Sequence, residues 1–139
     1  RCISYLTIEL RGSIPADLRP KIGSWIFGCD ICQTVCPWNR FSPPQGDPAF
    51  GDGGHPRAPR LQDELALSPD EFNLRFRRSP MKRAKAGGYL RNLAVAAGNS
   101  GDPRLLPALR AAAANGDPVV QEHCEWAIDQ VADRRDSRA

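Results

Sequence analysis

The most constraining feature of the sequence is the string Gly28-Cys29-Asp30-Ile31-Cys32-Gln33-Thr34-Val35-Cys36-Pro37, a C-x2-C-x3-C-P run. Its spacing matches the last three cysteines of the bacterial two-cluster run C-x2-C-x2-C-x3-C-P. In such a run the short turns wrap thiolates around the corners of one iron–sulfur cube. The last cysteine serves a second cube, and the proline fixes φ as the chain turns away. Cys29 and Cys32 then share one cluster, and Cys36 binds the other. The first cysteine of the run would fall at position 26, where the chain has Ile26. Cys2 is the free thiol that can replace it, as the third ligand beside Cys29 and Cys32. An odd count of five cysteines, with no secretory signal, argues against a disulfide framework and for metal or redox chemistry.

Two other uses of these thiols stay open at this level. C-x2-C is also half of a zinc site, and free cysteine is an ordinary small apolar core group. Against zinc, the expected second C-x2-C is absent. Cys124 lies in the run Val119 to Val131 and reads as a core thiol. His55, in a Pro/Gly-rich stretch, and His123 have no partners at ligand spacing, so both read as structural or solvent-facing.

The pattern along the chain predicts an α+β fold that is mostly α. Residues 1–40 form part of a ferredoxin-like 4Fe-4S subdomain, with Leu6-Thr7-Ile8 as a short extended segment and a helix from about Pro15 to Ile26. Residues 41–66 hold Pro43-Pro44, Gly53-Gly54, Pro56 and Pro59 and read as a loop, the helical pattern setting in from about residue 61. Residues 67–139 form a small HEAT-like helical domain. Ser68-Pro69-Asp70-Glu71 is a capping-box start. Ser79-Pro80 begins a helix that Gly87-Gly88 interrupts or ends. Gly-Asp-Pro occurs at 101–103 and again at 116–118, each Asp placed to cap a helix whose first residue is proline.

Charge gives a second signal. The net +3 hides seven basic residues between Phe72 and Gly101 (Arg75, Arg77, Arg78, Lys82, Arg83, Lys85 and Arg91) with no acid among them. The remainder carries twelve basic and sixteen acidic groups. A localised positive block suits phosphate binding, because affinity follows the number of phosphates neutralised; a solvated basic helix face is the ordinary alternative. No apolar run is long enough for a membrane span, and nothing reads as a signal peptide.

The strings Arg1-Cys2-Ile3-Ser4-Tyr5-Leu6-Thr7, Gly28 to Asn39, Ser79-Pro80-Met81-Lys82-Arg83-Ala84 and Leu90-Arg91-Asn92, together with the Gly-Asp-Pro helices, resemble the C-terminal part of the epoxyqueuosine reductase family. The resemblance covers nearly all of this chain and only the later part of the family's length. It implies reduction of the epoxide of epoxyqueuosine in a tRNA anticodon loop, with cobalamin and two [4Fe-4S] clusters as cofactors. It implies that Cys2, Cys29 and Cys32 bind one cluster and that Cys36 completes the other. It places Cys29, Asp30 and Thr7 toward the cobalamin, and Lys82, Arg83, Lys85 and Arg91 toward the tRNA. The family's catalytic acid and first cysteine motif lie upstream, so none of these residues is catalytic. A longer parent chain is expected from the missing start Met and the incomplete ligand set, and the present chain alone is expected to be inactive. An external electron donor, a monomeric state and a cytoplasmic location complete the expectation. A ferredoxin-type electron carrier and a zinc-stabilised RNA-binding module are the alternative functions.

Overall fold

The segment Tyr89 to Gly98 is apolar on every side except at Arg91 and Asn92, and a helix of that kind must be covered all round. The computed structural model, which describes residues 2–41, 59–114 and 116–136, builds the fold around it. The α-helices are α1 (Arg19–Ile22), α2 (Ile31–Thr34), α3 (Leu61–Leu65), α4 (Pro69–Arg75), α5 (Lys85–Ser100), α6 (Leu106–Ala113) and α7 (Pro118–Asp136). Short 3-10 turns at Pro37–Phe41, Pro80–Ala84 and Pro103–Leu105, and a π-turn at Tyr5–Glu9, fill the joints. All ten residues from Tyr89 to Gly98 are buried. One face of α5 meets Leu65, Phe72, Phe76, Leu105, Leu109, Val120 and Ala127 of the helical half. Val95, on another face, closes a second cluster with Leu6, Ile14, Leu18 and Ile22 of the cysteine-bearing half.

Among the described residues there is no strand, which corrects the α+β expectation to a mostly helical fold. Leu6-Thr7-Ile8, expected to be extended, lies within the π-turn: the Leu6 N–H donates to Cys2 O (3.1 Å) and the Leu10 N–H to Tyr5 O (3.0 Å). With no neighbouring strand to pair with, the buried backbone satisfies itself locally. The helix expected from Pro15 to Ile26 shrinks to α1, which follows a turn at residues 16–18. Leu61–Leu65, inside the stretch assigned to a loop, is helical. The rest of that stretch up to residue 58, His55 included, lies outside the described residues.

Several local signals hold as read. Ser68 Oγ accepts from the Glu71 N–H, and the Glu71 carboxylate accepts from the Ser68 N–H, closing the capping box. Asp102 accepts from the Arg104 N–H, and Asp117 from the N–H groups of Val119 and Val120. Gly87-Gly88, in contrast, neither interrupts nor ends a helix: both lie in the first turn of α5. A Cβ at Gly87 would sit 2.6 Å from Asp117 Oδ2. The bare Cα lets the carboxylate that caps α7 also approach the start of α5. No described helix is long and apolar enough to cross a membrane.

His123 joins the two halves. Its Nε2 accepts from the Ile14 N–H (3.1 Å), and its Nδ1–H donates to Val119 O (2.7 Å), which requires the neutral ring. Burial is the largest cause that holds its pKa down, to about 4, with the Arg19 and Arg91 charges as smaller ones, while the bond to Val119 O and the Glu122 carboxylate oppose the shift. The unfolded chain takes up a proton near pH 6.5, and the folded chain resists until about 4. Stability from this group is therefore complete above pH 6.5 and drains away as pH falls toward 4. Between pH 7.5 and 5 the loss should reach about 2 kcal/mol. Urea unfolding at both pH values checks this, and His123→Gln should flatten the difference.

Candidate functional site

The cysteines divide by exposure. Cys124 on α7 is fully buried, and burial pushes its thiol up to about 11, so it is an inert core group. Cys2 and Cys32 are exposed, and Cys29 and Cys36 are half-buried, all of them free thiols. Cysteine is among the most buried of residue types, so two exposed and two half-buried thiols on two short segments are candidate ligands. Thiolates in that arrangement are what iron–sulfur clusters take as ligands. Among the described residues no three Cys, His, Asp or Glu side chains converge closely enough to hold one metal ion.

Local geometry brings the two segments together. Cys2 lies just ahead of the π-turn, its carbonyl accepting from the Leu6 N–H, and Cys29 ends a short connection from α1. Ser4 Oγ donates to Cys29 O (3.2 Å), and the Gly28 N–H donates to Thr7 Oγ1 (3.0 Å). Gly28 makes this approach at φ +74°, a backbone state that glycine adopts without strain. Cys32 rides on α2, and Cys36 follows it with its N–H on Gln33 O (3.2 Å). Pro37 then opens the Pro37–Phe41 turn, where Asn39 Nδ2 donates back to Gln33 O (2.6 Å). Asp30 stands at the start of α2, exposed, its carboxylate not spent on capping the helix. It lines an open cavity of about 380 Å³ with Gln33, Thr34, Cys36, Asn39 and Arg40.

Thr7, expected at a cofactor, is instead fully buried. Its hydroxyl donates to Ile3 O (2.8 Å) and accepts from Gly28, so it joins the two cysteine segments from behind. A feature that sequence reasoning missed lies on the same segments as the thiols: Tyr5, Ile31, Val35, Trp38 and Phe41 are all large, apolar and exposed. Their signal was the density of apolar residues in a short segment with no amphipathic period to bury them.

The basic block separates into distinct parts. Arg91, expected at phosphates, is 1% exposed. Its guanidinium donates to Leu6 O (2.7 Å), Leu10 O (2.8 Å), Gly12 O (2.7 Å) and Asn92 Oδ1, which corrects its assignment from surface cation to internal brace. Arg75 is held by the buried Glu64 carboxylate (2.6 Å), which also accepts from the Tyr89 hydroxyl (2.7 Å). Arg83 pairs with Glu9, and its carbonyl accepts from Arg11 (2.6 Å). Arg77, Arg78, Lys82 and Lys85 are exposed. Lys85, at φ +59°, is the one non-glycine residue at positive φ among those described. It sits where the 3-10 turn becomes α5, and holding it there costs about 1–3 kcal/mol.

A profile of a 4Fe-4S double cluster binding domain matches residues 1–39. Epoxyqueuosine reductase of Pseudomonas aeruginosa is 48% identical over 131 residues, covering 92% of this chain and 36% of that protein. The Escherichia coli protein of the same name is 43% identical over 138 residues, covering 99% and 36%. The chain thus spans about a third of the length of these relatives. Among solved structures, a crystal structure of epoxyqueuosine reductase with a tRNA-Tyr epoxyqueuosine-modified tRNA stem loop superposes with a TM-score of 0.78. The sequences there are 32% identical, over 94% of this chain and 35% of that one. The structure from Streptococcus thermophilus gives 0.78 at 28% identity.

Proposed function

The chain belongs to the epoxyqueuosine reductase family, matching about a third of its relatives' length over nearly all of its own, and from that premise we propose that it forms the part of such an enzyme that holds iron–sulfur clusters beside a bound tRNA anticodon loop. The observation that carries the reading is the set of four thiols, exposed or half-buried, on residues matched to a double-cluster domain, against one buried thiol outside it. Cys2, Cys29 and Cys32 bind one [4Fe-4S] cluster and Cys36 belongs to a second, each completed by ligands from elsewhere. Residues 1–40 act as the cluster unit of ferredoxin-like type and residues 67–139 as a HEAT-like unit that meets tRNA, with 41–66 connecting them.

Cys29 and the exposed Asp30 carboxylate, which does not cap α2, would be the residues turned to the cobalamin. When bound, these groups supply single electrons and a reactive metal centre for reduction of the epoxide. The chain's own residues do the holding. Thr7, Ser4 and Gly28 fix the spacing of the thiol segments, and the apolar rim from Tyr5 to Phe41 keeps water from the clusters once covered. The exposed cations Lys82 and Lys85, with Arg83, neutralise phosphates, and an anticodon loop offers splayed bases that a duplex does not. An external electron donor, a monomer and a cytoplasmic setting belong to the same reading.

Two measurements test it. Anaerobic reconstitution of the full-length protein should load iron and acid-labile sulfide. Cys29→Ser should lose the cluster that it serves, and Cys124→Ser should lose none. Zinc without sulfide would sink the cluster assignment. The triple variant Lys82→Ala, Arg83→Ala, Lys85→Ala should weaken binding of an anticodon stem-loop RNA by roughly tenfold at low salt. It should also flatten the plot of log affinity against log salt by about two contacts, Arg83 being partly spent on Glu9. An unchanged salt slope would move the RNA to another face.

A further inference from the structure

One side-chain amide reaches both cysteine-bearing segments. Asn92 Nδ2 donates to Thr7 O (2.7 Å), on the turn begun by Cys2, and to Ile26 O (2.8 Å), three residues before Cys29. Its Oδ1 accepts from Arg91 Nε (3.1 Å) and Nη2 (2.9 Å), so the amide can point only one way. Asn92 is 1% exposed, and every polar group it offers is in use. Arg91 takes the next carbonyls along the first segment, at Leu6, Leu10 and Gly12. From the other side Thr7 Oγ1 accepts the Gly28 N–H. The separation of Cys2 from Cys29 is therefore set by the polar brace on α5 together with the direct bonds that Ser4 and Thr7 make to the Gly28-Cys29 segment.

We propose that Asn92, oriented by Arg91, is a positioning residue for the cluster bound by Cys2, Cys29 and Cys32, and that it governs how firmly the cluster is retained. The inference rests on the cluster reading above and adds to it the side chain that holds the ligands in register. An amide suits the task because two carbonyls must be bridged by two donors from one planar group. Asn92→Asp keeps the shape but presents a carboxylate oxygen to both Thr7 O and Ile26 O, so both segments lose their donor and are repelled from α5 at that point. Side chains that fix metal ligands without touching the metal characteristically alter retention by about ten- to a hundredfold.

The test uses the full-length protein with clusters reconstituted anaerobically. Iron release to a chelator in native buffer is followed for wild type, Asn92→Asp, Thr7→Val and Leu109→Ala. Thr7→Val removes the hydroxyl that accepts from Gly28 and donates to Ile3 O, a second lesion in the same brace that serves if Asn92→Asp does not fold. Leu109 is fully buried on α6 in the other core cluster, so its truncation lowers stability without touching the brace. The expected result is release about tenfold faster for Asn92→Asp and Thr7→Val, with a broadened electron paramagnetic resonance signal of the reduced cluster. Leu109→Ala should match wild type in both. Release as slow as wild type from Asn92→Asp and Thr7→Val overturns the proposal, as does equal acceleration by Leu109→Ala. Wild-type protein that takes up no iron and sulfide fails the cluster reading itself, a result distinct from either.

Discussion

Gly98→Ala is expected to lower stability by about 2 kcal/mol or more, although alanine is the better helix former. Gly98 lies near the end of α5, facing α7. An added Cβ would stand 2.8 Å from Trp126 Cζ3, 2.9 Å from Ala127 Cα and 3.0 Å from Ala127 Cβ. Rotation can move an indole edge aside, but the Ala127 Cα is backbone, so relief needs α5 and α7 to separate. That movement opens the core on which both clusters of apolar side chains depend. The intrinsic gain of about 1 kcal/mol from replacing glycine in a helix does not offset it. Gly88 on the same helix supplies the control. Its added Cβ would meet Ala84 and Arg91 at 3.9 and 4.0 Å, ordinary contact distances. Gly88→Ala should therefore stabilise by about 0.5–1 kcal/mol. Thermal melts of the two variants should move in opposite directions, and a stabilised Gly98→Ala would show that the helices are not in close contact there.

Arg91→Met should cost about 3–5 kcal/mol and should act first on the cysteine-bearing half. The methionine fills much of the same volume, so the loss isolates the polar role. Without the guanidinium, the carbonyls of Leu6, Leu10 and Gly12 lose their donor, and each buried one costs about 1–3 kcal/mol unless water reaches it. The charge itself is tolerated because it is spread over these dipoles. Burial, with Arg11 as a smaller cause, brings the Arg91 pKa down to about 10, so the group stays protonated near neutral pH. Native-state hydrogen exchange of Arg91→Met should show residues 2–30 opening well before α6 and α7. Arg91→Lys, with a compact ammonium in place of the planar fork, should recover only part of the loss. A loss below about 1 kcal/mol would mean that solvent replaces the guanidinium freely.

The parts legible in the sequence were those fixed by neighbours in the chain. The capping box at Ser68 and the Asp-Pro caps at Asp102 and Asp117 depend on residues two or three positions apart. The burial of Cys124 was likewise legible, since it lies in the apolar run Val119 to Val131, away from the other four cysteines. The misreadings arose where the deciding partner is distant. Gly87-Gly88 reads as a helix breaker until Asp117 and its carboxylate are placed opposite it. Arg91 sits among seven cations in sequence, yet the carbonyls that it binds come from 79 to 85 residues away. Leu6-Thr7-Ile8 has strand composition, but no strand lies beside it among the described residues, and the turn begun at Cys2 takes its hydrogen bonds instead.

The same distance shapes the order in which the molecule can assemble. Contacts among α5, α6 and α7 join neighbouring stretches of chain, whereas the brace to Leu6 and Thr7 closes a loop of more than eighty residues. The entropy of that closure must be offset by many contacts made together, so it belongs late in folding. The brace also has no function until α5 exists as a helix, since Arg91 and Asn92 share a side only then. The thiol segments accordingly dock onto a scaffold that is already formed, and until they do, their sulfurs remain open to whatever delivers iron and sulfide.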